Sequence, residues 1–448
     1  LLAVVGVQPG TMMDSPTATR AAALDLLVAV LDLGRTLEES MDTACRKLAP
    51  RDRAFAHLIA ATSLRHMARL EKVVKSFLER PLPAKAKDAK HILRLGAAQM
   101  LFLDTPPHAA VGTAVSLAKA RRLVPYAGLI NAVLRKVAQE GKEKLDALDG
   151  PFADLPRWIG QGWVVDHGEE VAARVAKACG REAPLDLTPR DGDAAALAAA
   201  VGGEALALGS VRLPPGTHLL DLPGFDTGAF WVQDAAAALP ARLFGPLAGK
   251  RAADLCAAPG GKTMQLAALG ASVVAVDRSE DRLARVHENL ERTGLAPAVT
   301  VVAADALAWA KDQEPGSFDA ILIDAPCSAT GTFRRHPDAP WLKTPTDAAN
   351  LAPTQSALLE AAYDLLAPGG TLVYCVCSLQ TIEGAPRVEA LLARHGDLKR
   401  QPIAPGEAGL EAEMVTAEGD VRLFPFHLDD KGGLDGFFIA RLVKAPAP

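Results

Sequence analysis

From Lys250 onward the chain changes its hydrophobic period. Short, almost uninterrupted apolar runs recur at residues 252–256, 272–277, 300–304, 319–324 and 371–377. Between them, apolar residues three and four apart fit helices over 263–269, 280–293 and 350–366. A strand that is apolar on both faces needs cover on both, and alternating helices supply it. The pattern predicts a parallel, doubly wound α/β sheet of Rossmann-like type. Phe437-Phe-Ile-Ala-Arg-Leu-Val443 adds a late strand at an antiparallel position.

Upstream the reading differs. Residues 17–148 carry helical periodicity, clearest at 21–30 and 54–64, where arginines occupy the opposite side. Pro81, Pro83 and Pro106-Pro107 interrupt it, residues 119–122 form a short basic run, and strand signals are absent. This predicts an all-helical bundle over 14–148. Residues 149–246 are mixed, with Trp158 and Trp163 on one helix, 194–201 on another, and short extended pieces around the Pro- and Gly-rich stretch 213–228. They read as a small α+β connector leading to a third domain at 247–448. Leu1-Leu-Ala-Val-Val-Gly-Val7 is too short, and lacks the basic flank and small-residue cleavage site, for a signal peptide. Met12 and Met13 offer alternative starts, so residues 1–13 are set aside as disordered or artefactual.

A chain of 448 residues calls for more than one domain, and 49% hydrophobic with 23% charged residues describes a globular protein with a substantial core. No apolar stretch reaches the ~18 residues of a membrane span, which predicts a cytoplasmic protein with no membrane partner. The net charge of −5 is unevenly spread. Residues 1–150 hold 22 Lys and Arg against 15 Asp and Glu, or +7; the remainder holds 26 against 38, or −12. A basic module joined to an acidic one fits a nucleic-acid-binding arm on an enzyme, with a solvated basic helical surface as the alternative. Six cysteines are too few for a disulfide framework at this length. Four of them, Cys256, Cys327, Cys375 and Cys377, cluster in one half, whereas Cys45 and Cys179 read as small buried hydrophobes.

In a parallel sheet, ligands bind beyond the carboxyl ends of the strands, and several candidate groups fall there. Cys256-Ala-Ala-Pro-Gly-Gly-Lys262 follows the first strand. Ala257, Ala258, Pro259, Gly260 and Gly261 let backbone amides approach a ligand carboxylate at a helix start, and Lys262 adds a positive charge. Asp277 ends the second strand, placed for ribose hydroxyls. Asp305 follows the third, placed for an adenine amino group, and Asp324 ends the fourth beside the substrate entrance. This set fits S-adenosylmethionine. A Walker A loop would need glycine where Cys256 stands, and a dinucleotide fingerprint would need Gly-x-Gly-x-x-Gly; neither fits.

Asp324-Ala-Pro-Cys-Ser-Ala-Thr-Gly331 follows strand four and Tyr374-Cys-Val-Cys-Ser378 follows strand five, so two thiols should meet over one cleft beside a methyl donor. That pairing suits carbon-5 of a pyrimidine, which is not itself nucleophilic. A thiolate adding to carbon-6 makes an enamine whose carbon-5 can attack a methyl group. Asp324, protonated or sharing a proton, can neutralise charge on the pyrimidine edge. Alternation puts Cys375 and Cys377 on one face, with only Cys377 at the edge. Cys375-Val-Cys377 lacks the second ligand pair of a zinc site, so no metal is expected.

These three motifs, in this order, resemble those of the RNA 5-methylcytosine methyltransferases, as do Arg334-Arg-His-Pro-Asp338 and Asp435-Gly-Phe-Phe-Ile-Ala-Arg441. Ile92-Leu-Arg-Leu-Gly-Ala-Ala-Gln99, Pro107-His-Ala-Ala-Val-Gly-Thr-Ala-Val115 and Ala127-Gly-Leu-Ile-Asn-Ala-Val-Leu-Arg135 resemble NusB-type RNA-binding domains, and Phe230-Trp-Val-Gln-Asp234 resembles the family's connector. The resemblance covers about residues 17–443. It implies S-adenosylmethionine bound by residues 256–262, Asp277, Asp305 and Asp324, with bacterial small-subunit 16S rRNA as substrate and a monomeric enzyme. Either thiol is open as nucleophile from the residues alone; the resemblance implies Cys377, with Cys327 assisting product release. Val376 replaces the family's usual threonine, and Ile382-Glu-Gly384 replaces its Pro-x-Glu-Asn run. The alternatives are tRNA or another RNA as substrate, and a non-catalytic RNA-binding, antitermination-like factor.

Overall fold

The computed structural model describes residues 15–447, so the residues 1–13 set aside above lie outside the described residues. The described chain forms two compact units, residues 15–159 with 336–342, and residues 160–335 with 343–447. Among the described residues no helix is long and apolar enough to cross a membrane.

The first unit is helical: α1 (Ser15–Leu31), α2 (Leu37–Cys45), α3 (Pro50–Arg65), α4 (Met67–Ser76), α5 (Lys87–Phe102), α6 (Pro107–Ala120) and α7 (Val124–Asp146). Its helix starts follow local chemistry. Thr36 and Glu39 form a reciprocal capping box ahead of α2. Pro50 and Pro107 take first-turn positions, where no backbone N–H is needed. The core joins Leu24, Leu27, Ile59, Leu64, Leu70, Ile92 and Leu134. Residues 336–342 arrive from far along the chain. Trp341 packs on this core and its Nε1–H donates to Leu64 O at 2.9 Å, while Asp338 accepts from Leu37 N at 3.0 Å.

The second unit takes up the chain within α8 (Arg157–His167) and continues through α9 (Glu169–Cys179), β1 (Leu185–Pro189), α10 (Ala194–Val201), β2 (Glu204–Ala205), β3 (Val211–Leu213) and β4 (Phe230–Val232). The four strands form an antiparallel sheet in the order β2-β3-β1-β4. Asp234 then caps α11 (Ala235–Arg242). Buried charges tie this sheet to the rest of the unit. Arg212 makes two 2.7 Å bonds to Asp186, and Arg335 reaches Asp234 at 2.5 Å and Asp435 at 3.3 Å. Removing one member of such a set would leave an uncompensated buried charge.

The large sheet contains β5 (Arg251–Leu255), β6 (Ser272–Asp277), β7 (Val299–Ala303), β8 (Phe318–Asp324) and β9 (Leu366–Val376), all parallel, in the order β7-β6-β5-β8-β9. Beyond β9 come β10 (Leu398–Arg400), β11 (Val421–Leu423) and β12 (Phe437–Lys444); β12 runs antiparallel to β9, as expected of the late strand. The crossovers are α12 (Gly261–Ala268), α13 (Glu280–Thr293), α14 (Ala306–Lys311) and the helix Asp347–Leu365. The Rossmann-like expectation holds, with one local correction. β9 begins at Leu366 rather than 371, because Ala367-Pro-Gly-Gly370 forms an irregularity inside the ladder. Leu366 pairs with Phe318, and Thr371 with Ala320. The strand ends at Val376, leaving Cys377 one residue beyond it.

Candidate functional site

β5 lies between β6 and β8, where the order of crossovers reverses, so the chain ends of β5, β6, β7, β8 and β9 open onto one crevice. The loop after β5 is fastened to its neighbour. Cys256, at φ 68°, and Ala257 both donate to Val276 O, at 2.9 and 3.0 Å, and Ala258 N donates to Asp277 Oδ2 at 3.0 Å. Gly260 sits at φ 101° with Val286 3.1 Å from where a Cβ would stand, so the left-handed turn and the close packing both require glycine.

A cavity of about 360 Å³ occupies the crevice. Of the residues singled out in the sequence, Cys256, Ala258, Asp277, Asp305, Asp324, Cys327 and Cys377 line it; Ala257, Pro259, Gly260, Gly261 and Lys262 do not. Asp277 Oδ1 accepts from Ser279 N at 3.0 Å, so this carboxylate shapes the loops as well as facing the cavity. Asp305 Oδ1 caps α14 through Leu307 N and Ala308 N, both at 3.0 Å. Val276, Ala304, Ala306 and Leu307 provide apolar wall. Carboxylate acceptors beside apolar wall match the donors and flat base of an adenosine, so the residues present fit S-adenosylmethionine.

Lys262 lies in the first turn of α12 with its ammonium turned to Asp324, 2.6 Å from Oδ2. Burial works against its charge and the Asp324 carboxylate outweighs it, holding the ammonium well above its usual range. Asp324 Oδ1 also lies 3.7 Å from the Cys375 thiol.

The Cys327 and Cys377 sulfurs are 3.5 Å apart. The hydrogen bond with Cys377 and then burial raise the Cys327 thiol well above its usual range. Cys375 is fully buried, and burial raises its thiol too. Burial likewise pushes Cys256 up to about 12, which suits a wall residue rather than a reacting one.

Four polar residues around this cavity were not anticipated. Arg278 and Arg282 line it beside Asp277, and Gln355 and Glu383 lie beneath the thiol loops. Arg278 immediately follows a candidate carboxylate. Glu383 stands where the family's Pro-x-Glu-Asn run carries its glutamate and is the one charged residue between Asp364 and Arg387, and these were the available signals. At Gly384, where the family run carries asparagine, a Cβ would come 2.9 Å from both Phe438 and Arg422. Arg422 occupies the space and donates to Ser378 O at 2.8 Å.

Comparison with known proteins gives two family matches: 16S rRNA methyltransferase RsmB/F over residues 241–443, and the NusB family over residues 17–139. Ribosomal RNA small subunit methyltransferase B of Vibrio vulnificus is 35% identical over 95% of this chain and 99% of its own. Among solved structures, a protein named PH0851 shares the fold, with a TM-score of 0.76, 22% identity, and coverage of 97% of this chain and 100% of that one. A methyltransferase homolog from Pyrococcus horikoshii is 27% identical with a TM-score of 0.53, over 69% of this chain and 98% of its own. Near-complete coverage at this identity, with both matches in the order read from the sequence, identifies the chain as a member of the RsmB/F family of rRNA methyltransferases, preceded by a NusB-type domain.

Proposed function

We propose that this protein transfers a methyl group from S-adenosylmethionine to carbon-5 of a cytosine in 16S rRNA through a covalent cysteine adduct. The observation that carries the reading is the contact of Cys327 and Cys377 at the wall of the cavity that also holds Asp277 and Asp305. Asp277 would accept from ribose hydroxyls and Asp305 from an adenine amino group, with the loop amides near Gly260 and Gly261 toward the carboxylate. Bound there, the cofactor supplies an electrophilic methyl group.

Cys377 adds as thiolate to carbon-6, and Asp324, sharing a proton with the base, neutralises charge on the pyrimidine edge. Once carbon-5 is methylated, its proton leaves to a base, and the Cys377–carbon-6 bond breaks to restore the ring. Cys327 serves this release step. Residues 14–148, as the RNA-binding domain, and the connector at 149–246 dock RNA through phosphate and shape contacts, and the target base unstacks into the domain at 247–448. The 16S rRNA of the family's description and the small-subunit ribosomal RNA in the name of the Vibrio relative support this substrate.

Labelled methyl donor tests this. Cys377→Ala should abolish transfer, and Cys327→Ala should accumulate a covalent protein–RNA adduct. The reverse outcome would exchange the two roles. Transfer to a tRNA pool with none to 16S rRNA would overturn the substrate.

A further inference from the structure

Glu383 is fully buried, yet both of its oxygens are engaged by the two loops that carry the thiols. Oε1 accepts from Ser328 N and from Gln355 Nε2, each at 2.9 Å. Oε2 accepts from Ser328 Oγ and from Ser378 Oγ, each at 2.5 Å. Ser328 follows Cys327 and Ser378 follows Cys377. Gln355 also donates to Pro326 O at 3.0 Å, on the other side of Cys327. The carboxylate therefore joins the segments on which both sulfurs ride.

A backbone N–H and an amide N–H₂ are obligate donors, so Oε1 acts as the acceptor of both bonds. Two hydroxyls at 2.5 Å match charge-assisted bonds to the other oxygen. The two serines touch each other at 3.0 Å, Thr330 Oγ1 lies 3.3 Å from Ser378 Oγ, and the Tyr374 hydroxyl donates to Glu383 O at 2.7 Å. No similar carboxylate would be needed merely to close a turn.

We propose that Glu383 is the positioning residue of the thiol pair, holding Cys327 and Cys377 in contact so that one adds to the base while the other serves release. This rests on the cysteine-adduct reading above and adds to it the group that arranges the two thiols. Glu383 does not line the cavity; it acts through Ser328 and Ser378. Its charge also bears on the thiols. Cys327 is faced by Cys377, Glu383 and Asp324, with Tyr374 behind it and Lys262 balancing Asp324, and among these Glu383 adds to the raising of the Cys327 thiol.

The test compares full-length wild type with Glu383→Gln and Glu383→Asp. Three quantities are measured: S-adenosylhomocysteine affinity, methyl transfer to a 16S rRNA transcript, and iodoacetamide alkylation of each thiol against pH without RNA. In Glu383→Gln, cofactor affinity and the KM for RNA should stay within about threefold, while kcat falls on the order of 100-fold from misplaced sulfurs. Glu383→Asp, which keeps the charge, should recover part of that loss. Cys327 should alkylate at lower pH in Glu383→Gln, because a negative charge beside it has gone. An unchanged kcat, or a loss carried wholly by KM, would overturn the proposal. Should Glu383→Gln fail to bind cofactor, Ser378→Ala decides: it removes one of the bonds to Glu383, with the other contacts of that hydroxyl, and leaves the charge, and a kcat equal to wild type overturns the proposal. If wild type itself transfers no methyl group, the reaction reading fails, and the alkylation profiles still judge Glu383, with identical profiles counting against it.

Discussion

Asp254 shows how one buried group can set a pH dependence. It lies inside β5, two residues before the Cys256–Lys262 loop, with no exposure; Thr263 Oγ1 donates to Oδ2 at 2.5 Å, and Oδ1 has no partner among the described residues. Burial pushes this carboxyl up to about 7. An unfolded aspartate loses its proton near pH 4, so below that both states are protonated and the favourable contribution is whole. As pH rises, the unfolded chain ionises first, and up to about 4 kcal/mol is lost by the time the folded group ionises. Asp254→Asn cannot ionise. Its thermal midpoint relative to wild type should therefore rise between about pH 4 and about pH 8; a constant offset across that range would refute the assignment. The same scale shows what a sequence conceals. Cys327 and Cys377 were legible because strand-end loops of adjacent parallel strands must converge. The direction of Lys262 was not, because a motif gives its place at a helix start but not the Asp324 carboxylate 2.6 Å away that claims its charge.

At the level of elements, the Pro-Cys loop and the entrance to β12 are held together by two glycines far apart in the chain. Gly331 N donates to Cys377 O at 3.0 Å, and Gly436 N donates to Gly331 O at 2.8 Å. A Cβ on Gly331 would stand 2.1 Å from Gly436 O, which is backbone and cannot swing aside. Gly331→Ala should therefore separate the loop from β12, costing about 1–3 kcal/mol of stability and lowering the melting temperature. A melting temperature equal to wild type would show that the loop yields without cost. Both glycines lie in motifs visible in the sequence, but their reason is a contact between the motifs, which no single stretch contains. Elements with local stop signals were easier: α13 occupies Glu280–Thr293 as expected, bounded by the Ser279 cap and by Gly294 at φ 69°. β9 was misjudged at its start because Ala367-Pro-Gly-Gly370 has the composition of a turn.

Across the whole molecule, the succession of a helical segment and a strand–helix repeat was readable from hydrophobic period, whereas the stretch read as a separate connector falls largely in one compact unit with the large sheet. The return of residues 336–342 to the helical unit was not, since Asp338 and Trp341 act through Leu37 N and Leu64 O, some three hundred residues earlier. Charge is the other property of this scale. Of the +7 carried by residues 1–150, the stretch 65–94 supplies +6, with nine Lys and Arg against three Asp and Glu. It spans α4, the connection holding Pro81 and Pro83, and the first half of α5. Between the helices, Val74, Leu78, Pro81 and Leu82 line a groove of about 250 Å³ with Lys75, Lys90 and Arg94, and Glu71 pairs with all three cations. One carboxylate against three cations leaves the groove positive, and exposed Lys72, Arg80 and Lys85 extend that charge along the hairpin. A polyanion binding here would release counterions, so affinity should fall linearly with the logarithm of salt, by about 0.7 per phosphate contact on single-stranded RNA. Replacing Lys72, Arg80 and Lys85 together with alanine removes up to three such contacts. The slope of RNA affinity against salt should then become shallower by about 2, with cofactor affinity unchanged, because the altered side chains lie in the helical unit. An unaltered slope would place the phosphate contacts on some other surface and leave the basic hairpin as a solvated face.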